Sequence, residues 1–461
     1  MASSPTPTTA TPAQSPHPNS SPKIIVLDDD PTGSQTVHSC LLLTQWDLDT
    51  LCLGLRDASP IVFILTNTRA LPPAEAAAVT RSVCQNLKLA LAQTQTQEFL
   101  VVSRSDSTLR GHYPIETDVI AEELGPFDAH FLTPAFFEGG RITRDSVHYL
   151  LIDGEPVPVH ETEFAQDSVF GYSFSYLPDY VAEKTGGKIA ASQVQRLTLA
   201  QVRSGCLDQL QGLTGNVCVA VDGETQADFD RVAQDLLTAA AAGQRFLFRS
   251  AASLLTALAA LPPQPLTPTA MGQYRRTDQP GAVIVGSHVQ KTTRQLQRLL
   301  QEPGVAAIEV EVARLQGGDP QARADLLQSI RAAVHQAHGA GQTPVVYTSR
   351  GELTFADVQT RLDFGVAVSS LLMDVVRGLP EGVSFLMSKG GITSNDVLSE
   401  GLALLTVRLL GQVLPGISVV RTEADHPQFP QLPVVLCPGN VGDDDALAVI
   451  YQRFQTAALA S

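Results

Sequence analysis

Ile24-Ile25-Val26-Leu27-Asp28-Asp29-Asp30-Pro31-Thr32-Gly33 decides the fold. Four β-forming apolar residues run without a polar break and then stop on three carboxylates. An uninterrupted apolar run of this length predicts a strand buried on both faces, as in a parallel sheet. In open α/β sheets, ligands bind beyond the carboxyl ends of strands. Three adjacent carboxylates repel one another, and a cation or a donor-rich ligand such as a polyol would balance them. An acidic turn in which Gly33 supplies a permissive backbone is the plainer alternative.

The same alternation continues outward. Ile61–Leu65, Phe99–Val102, Ala129–Thr133 and Asn216–Val221 read as strands, with helical spacing over Pro73–Gln93 and Phe229–Ala242. Prolines crowd residues 261–280, and then the pattern restarts. Ala282–Val285, Ala306–Val310, Pro344–Tyr347, Ser384–Met387 and Val434–Cys437 read as strands, and Thr292–Gln301 and Gln321–Ala337 as helices. The expected fold is α/β, with two domains, each a mostly parallel sheet flanked by helices, and an active site in the cleft between them. The expected boundaries are a disordered tail over 1–22, an N-terminal domain over 23–265, a linker over 266–280 and a C-terminal domain over 281–461.

Further strand ends carry chemistry. Ser103-Arg104-Ser105-Asp106-Ser107-Thr108-Leu109-Arg110-Gly111-His112 gathers two guanidiniums, hydroxyls and a carboxylate in one loop. Arginine forks suit carboxylates, and Asp and Ser suit sugar hydroxyls. Helix capping by Asp106 or Ser107 is the alternative. Arg141, after Gly139-Gly140, is another anion anchor. In the second half, Gly286-Ser287, Ser388-Lys389-Gly390-Gly391-Ile392-Thr393-Ser394 and Pro438-Gly439-Asn440-Val441-Gly442 are loops whose bare amides suit phosphate. Asp443-Asp444-Asp445 would hold Mg²⁺ or cap the following helix. The sequence contains no G-x-x-x-x-G-K-[ST], no G-x-G-x-x-G and no G-x-S-x-G. Carboxylates on one half and a phosphate cradle on the other suggest phosphoryl transfer across a cleft.

Composition narrows the classes. With 44% hydrophobic and 17% charged residues the chain has material for large cores. A net charge of −16 argues against nucleic-acid and anionic-membrane partners. Cys40, Cys52, Cys84, Cys206, Cys218 and Cys437 form no C-x-x-C pair and read as reduced, buried thiols of a cytoplasmic protein.

Taken together these motifs resemble the four-carbon acid sugar kinase family. Asp29-Asp30-Pro31-Thr32-Gly33 is similar to its D-D-x-T-G, and Asp106-Ser107-Thr108-Leu109-Arg110-Gly111 to its D-S-T-x-[RK]-G. Pro134-Ala135 through Gly140-Arg141-Ile142-Thr143, Val285-Gly286-Ser287 through Gln295, and Pro438-Gly439-Asn440-Val441-Gly442 follow in the family's order. The resemblance implies ATP-dependent phosphorylation of a terminal hydroxyl of threonate, erythronate or a 3-oxo-tetronate. It implies Asp29 or Asp30 as the catalytic base. Thr32, Arg104, Asp106, Ser107, Arg110 and Arg141 would bind the sugar acid. Ser287, Lys389, Gly390, Gly391, Thr393, Ser394, Gly439 and Asn440 would bind ATP, with Mg²⁺ near Asp443 and Asp444. Ile392 departs from the family's acidic residue, and Asp396 offers a substitute carboxylate. Two competing expectations are a non-catalytic sugar-acid or nucleotide sensor and a nicotinamide-dependent hydroxy-acid oxidoreductase; the missing Rossmann fingerprint counts against the latter. A homodimer stays open as the assembly.

Overall fold

The computed structural model describes residues 22–351, 353–355, 358–439 and 441–456. The apolar run Ile24–Leu27 lies in the strand Lys23–Asp28, buried along its length. It sits mid-sheet, parallel to Ile61–Leu65 on one side and Phe99–Arg104 on the other. Phe246–Ser250, Ala129–Thr133, Val217–Val221 and Gln195–Leu197 extend that half, all parallel. In the second half Val305–Val310, Thr343–Thr348, Ala282–Val285, Leu386–Lys389 and Pro433–Cys437 lie side by side, again parallel. Helices such as Pro73–Thr94, Gln226–Ala241, Pro320–Gly339 and Val358–Arg377 flank the strands.

The α/β class is as expected, but the two sheets do not end at a boundary. They join edge to edge in one sheet, of 15 strands among the described residues. Leu41–Leu43 pairs in parallel with Ile61–Leu65 and antiparallel with Thr406–Leu414. Ile417–Arg421 completes an antiparallel hairpin that leads to Pro433–Cys437. Asp57 reinforces the seam by accepting from Arg408 at 3.1 and 2.8 Å. Residues 266–280, expected as a linker, run against the second half. Met271 there is fully buried, and Arg276 Nε donates to the Val383 carbonyl at 2.8 Å.

Arg141–Arg144, Val147–Ile152 and Glu155–Pro158 form a separate three-stranded antiparallel sheet beside the first half. All six cysteines are free and buried, consistent with small apolar core residues. Among the described residues no helix is long and apolar enough to cross a membrane.

Candidate active site between the two halves

Parallel pairing aligns strand ends, so the loops that follow Lys23–Asp28, Ile61–Leu65 and Phe99–Arg104 meet at one rim. Register places Asp28 beside Arg104 and Leu65. Asp28 is fully buried, and Arg104 Nη1 lies 3.3 Å from its Oδ1. Burial pushes the Asp28 carboxyl up to about 7, against the pull of Arg104. Gly33 closes over this pair. A Cβ at Gly33 would sit 2.2 Å from both Asp28 oxygens and 2.5 Å from Arg104 Nη1. Arg104, expected to bind substrate, is therefore a buried partner of Asp28, and only 5% of its side chain is exposed.

Asp29 and Asp30 differ sharply. Arg69 grips Asp29 through Nε (3.2 Å) and Nη2, and the Ser105 hydroxyl donates to Asp29 Oδ2 at 2.7 Å. Only 2% of the Asp29 side chain is exposed, against 20% for Asp30. Asp30 receives Arg69 Nη1 at 3.1 Å and the Thr32 amide at 2.8 Å, and the Thr32 hydroxyl also donates to it. Burial raises the Asp30 carboxyl, but Arg69, Arg104 and the Thr32 bonds outweigh it and hold the group below its ordinary value. Asp30 thus stays an acceptor at neutral pH, with an open face.

That face points at the other half. A Cβ at Gly391 would lie 3.4 Å from Asp30 Oδ2. Gly390 and Gly391 follow the strand Leu386–Lys389, and Gly390 has φ +121°, a backbone that side chains rarely adopt. Gly286-Ser287 and Gly439 follow the neighbouring strands and close round it. A Cβ at Gly286 would strike the Thr393 hydroxyl, one at Gly390 would sit 3.1 Å from Ser287 Cβ, and one at Gly439 3.2 Å from Ser287 Oγ. Thr292 Oγ1 lies 3.1 Å from Ser287 Oγ and donates to the Gly439 carbonyl at 2.9 Å. Lys389 is buried and donates to the Pro438 carbonyl. Burial pushes its ammonium down to about 8. Arg350 adds a guanidinium from below, donating to the Ser287 carbonyl at 2.7 Å.

Of the expected sugar-acid contacts, Thr32 serves Asp30 directly. Arg110 Nε donates to Asp106 at 2.9 Å, which fixes both side chains. The Arg110 guanidinium lies over the Phe164 ring at 4.9 Å. Arg141 lies over the Phe136 ring at 5.9 Å, and its buried Nε has no hydrogen-bond partner among the described residues. Asp106 and Arg110 act electrostatically on Arg141, so the three form one charged group. Ser107 is buried in the same loop.

Several expected contacts do not converge. Ser394 is fully buried and pairs with Ser388 Oγ at 2.8 Å, which makes it part of the packing under the cradle. Asp396 is engaged by the Ser369 hydroxyl and by Asn395, and Ile392 projects outward at 64% exposure. Asn440 lies outside the described residues. Asp443 and Asp444 do not fit a magnesium site. Both are exposed, Asp444 is paired with Arg294 at 2.9 Å, and the Asp443 carboxylate accepts from the Asp445 amide at 3.2 Å. Among the described residues no group of three or more His, Cys, Asp or Glu is arranged to hold a metal.

Sequence reading passed over Arg69 and Arg249. Arg69 stands four residues beyond Ile61–Leu65, and the strand-end rule that picked out Asp30 would have flagged it. Arg249 interrupts the apolar strand Phe246–Ser250 and is 5% exposed. It is paired with Glu116 and donates to Ser105 Oγ at 2.7 Å, which carries its support through to Asp29.

Residues 24–258 match the family described as a sugar-binding N-terminal domain, and residues 282–447 match its companion, a nucleotide-binding C-terminal domain. D-erythronate kinase of Heliobacterium modesticaldum is 26% identical over 451 residues, covering 92% of this chain and 95% of the relative. D-threonate kinase of Bordetella bronchiseptica is 25% identical over 438 residues, covering 92% and 96%. A crystal structure from Salmonella typhimurium LT2 superposes with a TM-score of 0.68 at 18% identity, covering 95% of this chain and 99% of that one, a likeness of fold.

Proposed function

The chain belongs to the four-carbon acid sugar kinase family, and on that premise we propose that it transfers the γ-phosphoryl group of ATP to the terminal hydroxyl of a four-carbon sugar acid. The observation that carries the reading is the approach of Asp30, from one half, to Gly391, from the other. The reading takes Asp30 as the base and the glycine loop as the phosphate cradle, and their separation is one that a single hydroxyl could bridge.

In this reading Arg110 and Arg141 receive the acid's carboxylate, and Asp106 holds Arg110 in place. The far end of a four-carbon chain then reaches Asp30, which accepts the proton of the attacking hydroxyl. Asp29 does not touch the reaction; it anchors Arg69, which orients Asp30. Amides around Gly286, Gly390, Gly391 and Gly439, with the hydroxyls of Ser287 and Thr393, receive the phosphates. Lys389 and Arg350 supply positive charge where charge develops.

Two pH effects follow. Lys389 is charged below about 8 and neutral above it, so ATP binding weakens as pH rises through that value. Calorimetric titration between pH 6.5 and 9.5 should show Kd rising about tenfold, as expected for losing one charge-assisted bond. In Lys389→Met the affinity is lower at neutral pH and flat across the range. Arg69→Gln removes the largest force that keeps Asp30 ionised. The carboxyl then titrates at higher pH, and the acid limb of the kcat/KM profile moves to higher pH. A limb that stays in place would show that Arg69 does not govern Asp30.

A coupled assay of ADP release tests the function itself, using D-erythronate, D-threonate and related four-carbon acids. Turnover on at least one acid is expected. Tight binding of ATP and acid without turnover would instead identify a sensor on the same fold.

A further inference from the structure

The loop Ser105–His112, which carries Asp106 and Arg110, is not stabilised by regular structure. Leu109 adopts φ +66°, a left-handed conformation that costs a non-glycine residue about 1 kcal/mol or more. Its backbone carbonyls are nevertheless captured one after another. His148 Nε2 donates to the Ser107 carbonyl at 2.7 Å, the Tyr172 hydroxyl to that of Thr108 at 2.7 Å, and the Tyr180 hydroxyl to that of Leu109 at 2.9 Å. The fourth, that of Arg110, lies 3.0 Å from Ser105 Oγ, whose one proton goes to Asp29 Oδ2 at 2.7 Å.

The three outer donors are all buried and come from one stretch of chain: His148 from the small antiparallel sheet, Tyr172 from the connection that follows it and Tyr180 from the helix Leu177–Lys184. Because a carbonyl only accepts, His148 Nε2 carries a proton. Burial pushes the imidazole down to about 4, so the ring is neutral and its Nδ1 accepts from the Thr143 hydroxyl at 2.9 Å. The same stretch reaches the arginine. Phe164 lies under the guanidinium, and Asp167 Oδ2 stands 3.7 Å from Arg110 Nη1. Phe170 meets the His112 ring edge-on at 4.9 Å.

We propose that residues 141–184 form a clamp that sets the specificity for the acid by fixing the main chain of Ser107–Leu109, with His148, Tyr172 and Tyr180 as positioning residues that do not touch substrate. The inference rests on the reading of Arg110 as the carboxylate's partner. Its physical basis is that a guanidinium selects a carboxylate only if its fork is held in place. The loop can spend no binding energy on ordering itself if the clamp has ordered it beforehand.

The test uses Tyr172→Phe, Tyr180→Phe and the double variant, which remove hydroxyls and keep the rings. Amide hydrogen exchange over residues 106–112 should accelerate by roughly tenfold or more in the double variant, the fold-change expected for losing two buried hydrogen bonds. KM for the preferred acid should rise about tenfold, with kcat and KM for ATP within about twofold of wild type. Unchanged exchange would overturn the clamp. So would faster exchange with an unchanged KM for the acid, since the loop's order would then not matter to recognition. If the wild-type protein turns over no four-carbon acid, the kinase reading fails by itself. Exchange, together with the calorimetric Kd of the two variants for D-erythronate and D-threonate, then decides the clamp without reference to turnover.

Discussion

Asp30→Asn is expected to lower turnover by roughly 10³-fold while leaving the affinity for ATP within about twofold, the size of effect seen when a positioned general base is removed. The change conserves volume, and Asn Oδ1 can still accept from the Thr32 amide and hydroxyl, which now meet Asp30 Oδ1. What it removes is the second oxygen, which faces Gly391 and receives Arg69 Nη1 at 3.1 Å. An amide NH₂ cannot accept a proton and would confront the guanidinium donor to donor. Asp29→Asn should act differently. Asp29 is closed off by Arg69 and Ser105, so its loss disturbs how Asp30 is held and leaves the base in place. Single-turnover kinetics of the two variants side by side distinguish the roles. Full activity in Asp30→Asn would remove it as the base.

Gly390→Ala is expected to raise the ATP Kd by about tenfold or more. At φ +121° an alanine costs roughly 1–3 kcal/mol, and its Cβ would press on Ser287 Cβ and the Thr393 hydroxyl, each 3.1 Å away. The strain is relieved only by moving the two hydroxyl residues that line the cradle. Gly391→Ala is the control. Its Cβ would meet Asp30 Oδ2 at 3.4 Å, an ordinary contact, so nucleotide binding should survive. The methyl would instead fill the gap in which the attacking hydroxyl must stand, and kcat should fall. Equal ATP affinities for Gly390→Ala and wild type, measured calorimetrically, would contradict the cradle.

The strand ends were legible because both cues are local. An apolar run predicts a parallel strand, and the residues that stop it lie at the rim. Asp30, Gly390 and Gly391 were singled out this way as residues at strand ends, and Ile61–Leu65, Ala129–Thr133 and Ala282–Val285 have the boundaries expected of them. The seam was not legible. Leu41–Leu43 is three residues long, and its partner Thr406–Leu414 lies more than 350 positions away, so no local pattern announces the pairing. Arg104 misled for a related reason. It ends its strand as a substrate contact would, but register sets it beside Asp28, where burial demands a counter-charge. Asp443 and Asp444 were expected near Mg²⁺, but Asp444 and its neighbour Asp445 form a solvated row answering Arg294 and Arg298 on the facing helix. Four residues apart, those two arginines share a helix face, a spacing that was available in the sequence.

In the proposed reaction, ATP gives its γ-phosphoryl group to a terminal hydroxyl held between Asp30 and the glycine cradle. The most direct measurement is ³¹P NMR of the reaction with ATP and the acid that gives the fastest ADP release. A phosphomonoester resonance split by two protons of a terminal CH₂ should grow as the γ-phosphate signal disappears, and should be absent with Asp30→Asn. Inorganic phosphate as the only product, or a phosphate ester on an internal carbon, would contradict it.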